Sequence, residues 1–532
     1  MTRSWRSIVV VPVFIATCSI LGGVFGPGME GVSAATSNPE EDLKSSIRAF
    51  TRVYDVVEAN FADAVTSDKS IYKGAIPGML RTLDPHSNFF DPKDFQGLKD
   101  DQRGHYFGVG MTVGPRNGKT IVIAPFGGSP AYRAGIRPGD VIMEVNDKHT
   151  ESLTTLEIAD LLKGPRGTHV QVVVGREGVE KPITFNITRD EIPRYSVESA
   201  FWLKPGIAFL HVSQFNENTI KEMEDALARL GEKDIQGLVL DLRENPGGIL
   251  GEGVAVAGHF LRRGEVVVSQ RGRASENKPY TARGSSNGQN YPLVVLVNQY
   301  SASAAEIVAG ALQDHDRAWI LGNTTFGKGL VQTVFQLPEN TGLALTTAHY
   351  YTPSGRLIQR DYSNISFLDY YYGKRTETKN MQDVKSTDSG RTVYGGGGIT
   401  PDEKFTPPKY NKFQIELARR YTFFSFAAKW FGARSDSKLP KGWEPDDNVL
   451  NEFHSFLLKQ NVPFTEAEWA ENHTWIKEQV KKEFYITGFS FEDAQKVALQ
   501  EDPMVLKAID AMPQAKSLLD KSKQLIVQRF GR

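Results

Sequence analysis

Ser303 lies where the sequence changes from an apolar strand to a small-residue helix. The run 293–297 is wholly apolar and predicts a central strand, and residues 302–312 predict the helix that follows. A serine at such a junction lies at the helix N-terminus, where free backbone N–H groups can stabilise an oxyanion. That chemistry would make Ser303 a nucleophile. The alternative is that Ser301 or Ser303 only caps the helix, which is the commoner use of serine there.

Lys328 could supply the base that such a nucleophile needs. It lies between Gly327 and Gly329, and a lysine in a tight turn between apolar segments can be drawn inward. Burial disfavours the ammonium ion and lowers its pKa, and the neutral amine can then take the serine proton. Gln332, four residues later, could hold the amine in one rotamer. The alternatives are an exposed turn lysine and an ordinary strand glutamine.

A glycine-rich loop at 241–248 follows a second strand of the buried type, 237–241. Glycines allow backbone N–H groups to approach a ligand closely. A loop of this kind beside Ser303 could supply a second oxyanion donor. The alternative is a strand-to-helix turn that binds no ligand.

The histidines give little support to a serine–histidine triad. His315 is twelve residues beyond Ser303 on the same predicted helix, which at ~1.5 Å per residue places it about 18 Å away. His86 follows an Asp-Pro turn, and His349 lies in a tyrosine-rich strand. The sequence also lacks the Gly-x-Ser-x-Gly motif of an α/β-hydrolase.

A helical unit and a β-rich domain precede these segments. Apolar residues at helical spacing predict helices at 43–64 and 71–83. From about residue 106, short strands and Gly/Pro turns indicate a compact domain of about ninety residues. Its predicted elements are strands at 107–113, 120–125, 141–145 and 169–174 and a helix at 153–162.

The rest of the chain predicts an α/β core and a helical extension. Strands and helices alternate over 207–350, including a strand at 207–212 and an amphipathic helix at 219–230. Residues 363–393 are polar and irregular, which predicts an insertion loop. From residue 405 onward, aromatic, Lys and Glu residues at helical spacing predict a C-terminal helical extension.

The first 35 residues predict export. Arg3 and Arg6 precede an apolar stretch at 8–25, and small residues follow at 32–35, the layout of a cleaved signal peptide. An uncleaved membrane anchor is the alternative. Cys18 is the single cysteine of the 532 residues, so a mature chain would hold neither a disulfide nor a thiol nucleophile. The formal net charge of -1 gives no basic field that would favour nucleic acid.

Seven segments, taken in order, resemble the C-terminal processing proteases, also called tail-specific proteases. The resemblance covers about residues 45–360 and a short piece near residue 400. Each segment is a weak signal by itself, and the ordered set is specific. The segments are 76–87, 107–111, 129–140, 241–248, 301–306, 325–332 and 396–402.

This resemblance implies a Ser–Lys dyad. It assigns the nucleophile to Ser303 and the general base to Lys328, with Gln332 orienting the lysine. The backbone N–H groups of Gly248 and Ala304 match the oxyanion hole of the family. No metal or other cofactor is implied.

The resemblance also implies a multidomain α/β fold. A helical N-terminal segment is followed by a PDZ-like β-rich domain, a protease core related to the crotonase and ClpP architecture, and the C-terminal helical extension. The family pattern assigns no role to the insertion or to the extension. The expected boundaries are 1–35 for the signal peptide or anchor, 36–102, 103–190, 191–404 and 405–532.

The PDZ-like domain implies how substrates are chosen. A peptide tail would add as a strand beside residues 109–113, facing the helix at 153–162. Backbone N–H groups would hold its terminal carboxylate, and side-chain pockets would favour apolar tail residues. The expected partners are proteins or peptides with free, apolar C-termini; an adaptor protein and membrane association are open alternatives. The residues assigned to tail binding are Phe107, Gly108, Val109, Gly110 and Met111.

The predicted function is an exported serine endopeptidase, in the periplasm or on the outer face of the cytoplasmic membrane. A second hypothesis is a PDZ scaffold on an inactive core, and the intact set of Ser303, Lys328 and Gln332 argues against it. A third is an envelope protease of the His-triad type with PDZ domains. There the protease block precedes the PDZ block, which is the opposite of the order in this chain.

Overall fold

The computed structural model describes most of the chain from residue 39 onward. The predicted signal peptide or anchor at 1–35 lies outside the described residues. None of the described helices is both long enough and apolar enough to cross a membrane. The chain divides into two compact units, 1–76 and 77–532. The described residues are 39–66, 68–116, 118–284, 288–363, 365–373, 381–434 and 439–530.

The first unit is helical in its described part. Helix α1 spans Pro39–Asn60, and acidic residues fill its first turn, where they interact favourably with the helix dipole. The segment predicted as one helix at 71–83 is instead a π-helix at Asp68–Ala75 followed by α2 at Ile76–Arg81.

A short strand and a helix lead into the β-rich domain. Strand β1 spans Asn88–Phe90 and helix α3 spans Pro92–Arg103. Asp91 caps the start of α3 by accepting the backbone N–H of Asp94, and Gly104 ends the helix at a φ of 75°.

The β-rich domain follows from His105 onward. Its elements are β2 (His105–Gly108), β3 (Met111–Arg116), β4 (Lys119–Pro125), α4 (Pro130–Ala134), β5 (Val141–Val145), β6 (Lys148–His149), α5 (Thr155–Leu162), β7 (His169–Gly175), β8 (Ile183–Thr188) and β9 (Asp190–Pro193). The main sheet is antiparallel with the order β3-β4-β5-β7-β8, and β6 pairs with β5. Strands β2 and β9 form a separate ribbon. Helix α5 packs beside β3, the end strand of the sheet.

The single strand predicted at 107–113 is wrong, because two strands of different sheets divide this segment. Strand β2 pairs with β9, whereas β3 pairs with β4. The break lies at Gly110, whose φ of 76° is in the left-handed region. A Cβ there would lie 2.5 Å from Ser129 Cβ. Glycine is therefore required where the chain passes from one sheet to the other.

The core alternates strands and helices. Its elements are β10 (Val197–Lys204), β11 (Ile207–Val212), α6 (Thr219–Leu230), β12 (Gly237–Asp241), α7 (Leu250–Phe260), β13 (Val266–Arg271), β14 (Lys278–Thr281), β15 (Leu293–Val297), α8 (Ala304–Asp314), β16 (Trp319–Gly322), β17 (Leu330–Gln336), β18 (Gly342–Tyr351), α9 (Phe367–Tyr372), β19 (Val384–Ser386), β20 (Thr392–Tyr394) and β21 (Glu403–Lys404).

Two large sheets build this core in the described part of the chain, beside the small β19–β20 hairpin. One has the order β10-β11-β12-β15-β16-β21 and is parallel except for β10. Every residue of β12 and β15 is buried, as expected for strands covered on both faces. The other sheet is antiparallel with the order β1-β18-β13-β14, and β17 pairs with β18. The segments that follow β12, β15 and β16 carry Gly248, Ser303 and Lys328, and Gln332 lies in β17.

The segment 363–393 is not irregular throughout, contrary to the prediction from its polar composition. It contains helix α9 and the hairpin β19–β20. Ser366 caps α9 by accepting the N–H of Asp369 at 3.0 Å, and Tyr370 is only 2% exposed. Burial of aromatic side chains therefore orders a stretch whose neighbours in sequence are polar.

The C-terminal extension is helical, as predicted. Its helices are α10 (Lys412–Arg419), α11 (Thr422–Gly432), α12 (Asp447–Lys459), α13 (Glu466–Glu471), α14 (His473–Gly488), α15 (Phe491–Gln500), α16 (Pro503–Asp510) and α17 (Met512–Phe530). An aromatic core joins α10, α11, α12 and α14. Helices α16 and α17 cover the core sheet, where Val505 packs in one cluster with Val239 and Val294. The extension also reaches the β-rich domain, because Arg116 lies 5.0 Å from the ring centroid of Phe424.

Candidate active site

Ser303 is the residue that begins helix α8, directly beyond the turn after β15. Its backbone has φ 53° and ψ −114°, whereas an ordinary N-cap residue is extended. A non-glycine residue with positive φ is strained, and such strain concentrates at functional sites. The hydroxyl of Ser301 is engaged elsewhere, since it donates to Leu242 O at 2.7 Å and accepts from Asn298 N at 3.0 Å. A simple cap by Ser301 is therefore excluded.

Lys328 and Gln332 lie in direct contact. Lys328 Nζ donates to Gln332 Oε1 at 2.8 Å, and Gln332 Nε2 donates to the backbone carbonyl of His86. The amide is thus held at both ends, which fixes its orientation. The Lys328 side chain keeps some exposed surface, yet burial lowers the pKa of its amine.

Glu306 connects the two segments that carry Ser303 and Lys328. Its side chain is 0% exposed, and Oε2 accepts the backbone N–H of Ser303 at 2.9 Å and that of Lys328 at 2.8 Å. The two backbone nitrogens are therefore less than about 6 Å apart. Because the chain positions of these residues are so different, only the fold brings them to one carboxylate.

The other oxygen of Glu306 is equally engaged. Oε1 accepts Thr325 Oγ1 at 2.5 Å and the N–H of Gly327 at 2.6 Å. Thr325 Oγ1 accepts the N–H of Ile399 at 2.6 Å, so its own proton is directed to Glu306. Burial raises the pKa of Glu306, and these donors oppose that rise. This role of Glu306 was not predicted from the sequence, although Glu three residues after a helix-starting Ser is a known capping signal.

The glycine-rich loop after β12 lies against Ser303. A Cβ on Gly247 would lie 2.6 Å from Ser303 Cβ, and one on Gly248 would lie 2.0 Å from Phe215 O. Asn245 fixes the loop, since its carbonyl accepts the N–H of Ala302 at 2.9 Å and its Oδ1 accepts that of Gly247 at 2.8 Å.

The backbone donors predicted for an oxyanion hole are available. In the part of the chain that the structure describes, the N–H groups of Gly248 and Ala304 donate to no other residue. Ala304 is the first residue of α8, where N–H groups have no partner within the helix. The dipole of α8 adds positive potential at the same place.

An ion-pair chain leads from this loop to the C-terminal extension. Arg243 contacts Asp241 at 2.7 Å and Asp502 at 2.9 Å. Asp502 also caps α16 by accepting the N–H groups of Met504 and Val505. Asp502 was not predicted as a partner of this loop, because it lies more than 250 residues beyond it in the chain.

The residues predicted to bind substrate tails lie at the junction of β2 and β3. The carbonyl of Val109 accepts the N–H of Ala131 at 2.8 Å, and the carbonyl of Gly110 accepts that of Phe126 at 3.0 Å. Neither Val109 N–H nor Gly110 N–H donates to any of the described residues. Met111 begins the end strand β3. Phe107 and Gly108 lie in β2 and pair with β9 instead.

Neither His315 nor His349 has a hydrogen bond to Ser303 among the described residues, although His349 pairs through its backbone with Leu330, two residues beyond Lys328. The ring of His315 bonds to Val266 O at 2.7 Å and to Asp388 at 2.9 Å, and His349 lies in β18. His86 is close, since its carbonyl accepts the amide of Gln332.

Comparisons with known proteins give two family models and several relatives. Peptidase family S41 matches residues 206–364, and PDZ domain matches residues 127–176. A carboxy-terminal-processing protease of Bartonella bacilliformis is 37% identical over 433 residues, covering 79% of this chain and 90% of that protein. A carboxyl-terminal-processing protease of Synechocystis is 39% identical over 292 residues, covering 54% and 68%. Among solved structures, a photosystem II D1 C-terminal processing protease aligns at 29% identity over 63% of this chain and 82% of that one, with a TM-score of 0.36.

Proposed function

The chain belongs to the carboxy-terminal processing proteases of peptidase family S41, and on that premise we propose that Ser303 and Lys328 are its nucleophile and general base. The observation that carries this proposal is the pair of bonds to Glu306 Oε2, which ties the start of α8 to the turn of Lys328. The bond from Lys328 Nζ to Gln332 supports a base held in one rotamer. A binding module with an inactive core would have no need of this arrangement.

The proposed reaction proceeds through an acyl-enzyme. Ser303 Oγ attacks the scissile carbonyl carbon while its proton passes to the neutral amine of Lys328. The carbonyl oxygen becomes an oxyanion that accepts the N–H groups of Gly248 and Ala304. The bond between the carbonyl carbon and the peptide nitrogen then breaks, and the leaving amine of the substrate takes the proton from Lys328. Water then attacks the ester in the same way and regenerates Ser303.

Substrate selection is proposed to begin at the β-rich domain. A free C-terminus would add as a strand to the open edge of β3, beside α5. Its carboxylate would accept hydrogen bonds from the backbone N–H groups of Val109 and Gly110, which donate to none of the described residues. The location of the enzyme is proposed to be the cell envelope, because the residues before 36 have the layout of an export signal.

Cleavage of an unstructured protein such as β-casein tests the dyad. Ser303→Ala and Lys328→Ala should each abolish turnover, since nucleophile and base act as one unit. Lys459→Ala, a change at an exposed helix position, is the matched control and should cleave at the normal rate. Near-normal turnover by either dyad variant would contradict the assignment of Ser303 and Lys328 as nucleophile and base.

A further inference from the structure

His86 lies in the turn between α2 and β1, beside the proposed base. Asp84 Oδ1 fixes this turn by accepting the N–H groups of His86 and Ser87, each at 2.7 Å. The backbone carbonyl of His86 is the acceptor for Gln332 Nε2. The position of His86 therefore decides where the Gln332 amide lies, and with it the amine of Lys328.

Helix α9 of the 363–393 segment holds the ring of His86 from both sides. His86 Nε2 lies 3.0 Å from the hydroxyl of Tyr370, and His86 Nδ1 lies 3.0 Å from that of Tyr371. Tyr371 also donates its hydroxyl proton to Pro85 O at 3.0 Å. Two consecutive tyrosines thus contact one imidazole and the backbone beside it.

These contacts belong to a closed hydrogen-bond network that returns to the turn of Lys328. From Tyr370 the path continues to Gln359, whose Nε2 donates to the Tyr370 hydroxyl at 3.2 Å. Gln359 Oε1 accepts the N–H of Gly329 at 2.8 Å. The two ends of this network, Lys328 and Gly329, are neighbours in the chain. Its members, in order, are Lys328, Gln332, His86, Tyr370, Gln359 and Gly329.

The number of available protons gives one consistent assignment of donors and acceptors around neutral His86. A tyrosine hydroxyl has a single proton, so Tyr371 donates it to Pro85 O and accepts Nδ1–H of His86. His86 Nε2 is then an acceptor and takes the proton of Tyr370, which in turn accepts from Gln359. Protonation of His86 would reverse the bond at Nε2, and the hydroxyl proton of Tyr370 would then lose His86 as its acceptor.

The charges around His86 favour that neutral form. Burial, with smaller effects of Lys328 and Arg360, lowers the pKa of His86 to about 4, while Asp84 acts in the opposite sense. Arg360 also lies 4.2 Å from the ring centroid of Tyr370, and its guanidinium donates to the Tyr370 carbonyl. The hydrogen-bond network therefore keeps this arrangement across the neutral range of pH.

Tyr370 also packs close to the segment that precedes Ser303. Tyr370 packs edge-on against Phe326, with ring centroids 5.6 Å apart. The backbone N–H of Phe326 donates to Ser301 O at 2.9 Å, and Ala302 packs in the same cluster. Tyr370 thus connects the segment before Ser303 with the support of Lys328.

We propose that Tyr370 and Tyr371 of helix α9 are positioning residues of the peptidase: through His86 they hold Gln332 and thereby fix the Lys328 amine toward Ser303. The inference rests on the proposed role of Lys328 as base. It gives the 363–393 segment, which the family pattern leaves without a role, a place in the catalytic machinery. Neither tyrosine is required to touch substrate.

Conservative substitutions that remove only the hydroxyl groups test this proposal. Tyr370→Phe, Tyr371→Phe and the double variant are compared with wild type in cleavage of β-casein across pH, with melting curves to confirm folding. Tyr372→Phe is the matched control, because Tyr372 is 81% exposed and adjacent in sequence. Should the double variant fail to fold, Tyr371→Phe carries the test alone, since that side chain keeps exposed surface.

The expected result is a loss in kcat of about tenfold in each single variant, with KM unchanged, because misplacement of a base affects the chemical step. The acid limb of the kcat profile should also move to higher pH, because a looser site lets water reach Lys328 and its pKa rises. A purely structural role would lower the melting temperature and leave that limb in place.

Three outcomes distinguish the role of the two tyrosines from the role of Lys328. A double variant with wild-type kcat and an unmoved acid limb overturns the inference, provided Lys328→Ala is inactive. An active Lys328→Ala overturns the base assignment and the inference with it. If kcat fell as much in Tyr372→Phe as in Tyr371→Phe, the effect would not be specific to the hydrogen-bond network. That result would also overturn the inference.

Discussion

The buried carboxylate of Glu306 accepts the backbone N–H of Lys328 at 2.8 Å. The turn of the proposed base is therefore held from the helix that begins at the proposed nucleophile. The same oxygen accepts the N–H of Ser303, so one side chain sets the separation of two segments that belong to different parts of the chain.

Glu306→Gln should reduce both activity and stability. The amide NH2 would replace one oxygen and face groups that donate to it at present. We expect the free energy of unfolding to fall by about 2 kcal/mol and kcat to fall about a hundredfold. Urea denaturation and β-casein cleavage measure the two effects, with the exposed Glu276→Gln as control. Equal kcat in both variants would contradict this role.

Asp502 should matter to catalysis although it lies in the C-terminal extension. It contacts Arg243 of the proposed oxyanion loop at 2.9 Å and also caps α16. Asp502→Ala removes both functions, whereas Asp502→Ser retains the cap, which is worth about 1 kcal/mol. We expect kcat to fall about tenfold in both variants and stability to fall mainly in Asp502→Ala.

The control for this comparison is Asp510→Ala, an exposed change near the end of α16. If Asp502→Ser cleaved β-casein at the wild-type rate, the ion pair to Arg243 would have no part in the chemistry. The extension would then serve only to cover the core sheet.

Glu483 of α14 should make the free energy of unfolding depend on pH. Burial raises the pKa of its carboxyl to about 7 from an ordinary value of 4.5, and Oε2 has no hydrogen-bond partner among the described residues. The folded state keeps its proton over this interval and the unfolded state loses it. The contribution of Glu483 to stability therefore falls as pH rises from 4.5 to about 7.

Glu483→Gln removes this titration. The variant should gain about 1–3 kcal/mol in free energy of unfolding at pH 8 and gain nothing at pH 4. Urea denaturation at the two pH values measures the difference, and Glu492→Gln on the exposed side of α15 is the control. An equal gain at both pH values would mean that the effect is not due to ionisation.

Recognition of tails should require a free carboxylate and an apolar end. Backbone pairing along β3 can accept any sequence, so discrimination falls to the last residues and to the N–H groups of Val109 and Gly110. A peptide with an apolar free C-terminus should inhibit β-casein cleavage, whereas its amidated form and a form ending in Asp should inhibit at least tenfold less. Equal inhibition by all three peptides would contradict tail capture.

The sequence predicted the parts of the fold whose signals are local. Strands β11, β12 and β15 and helix α6 occur at the predicted residues, because continuous apolar runs and helical spacing report burial directly. The contact of Lys328 with Gln332 was also expected from the sequence, and it forms between the segment before β17 and the strand itself. The roles of the predicted site residues themselves stay predictions.

What the sequence could not predict depends on contacts between distant segments. Gly110 divides one apolar run between two sheets because of its fit against Ser129. Helix α9 is ordered by packing of Tyr370 against residues such as Phe326, and Asp502 meets Arg243 only in the folded chain. No local pattern reports such pairs.

Activation of Ser303 by a buried, neutral Lys328 can be measured through the rate of covalent labelling by a fluorophosphonate. Mass spectrometry would locate the adduct and follow its formation across pH. We expect labelling at Ser303, with a rate that rises with pH through one ionisation below the ordinary lysine value of 10.5, and no labelling in Lys328→Ala. A rate in Lys328→Ala equal to wild type, or an adduct on another serine, would contradict it.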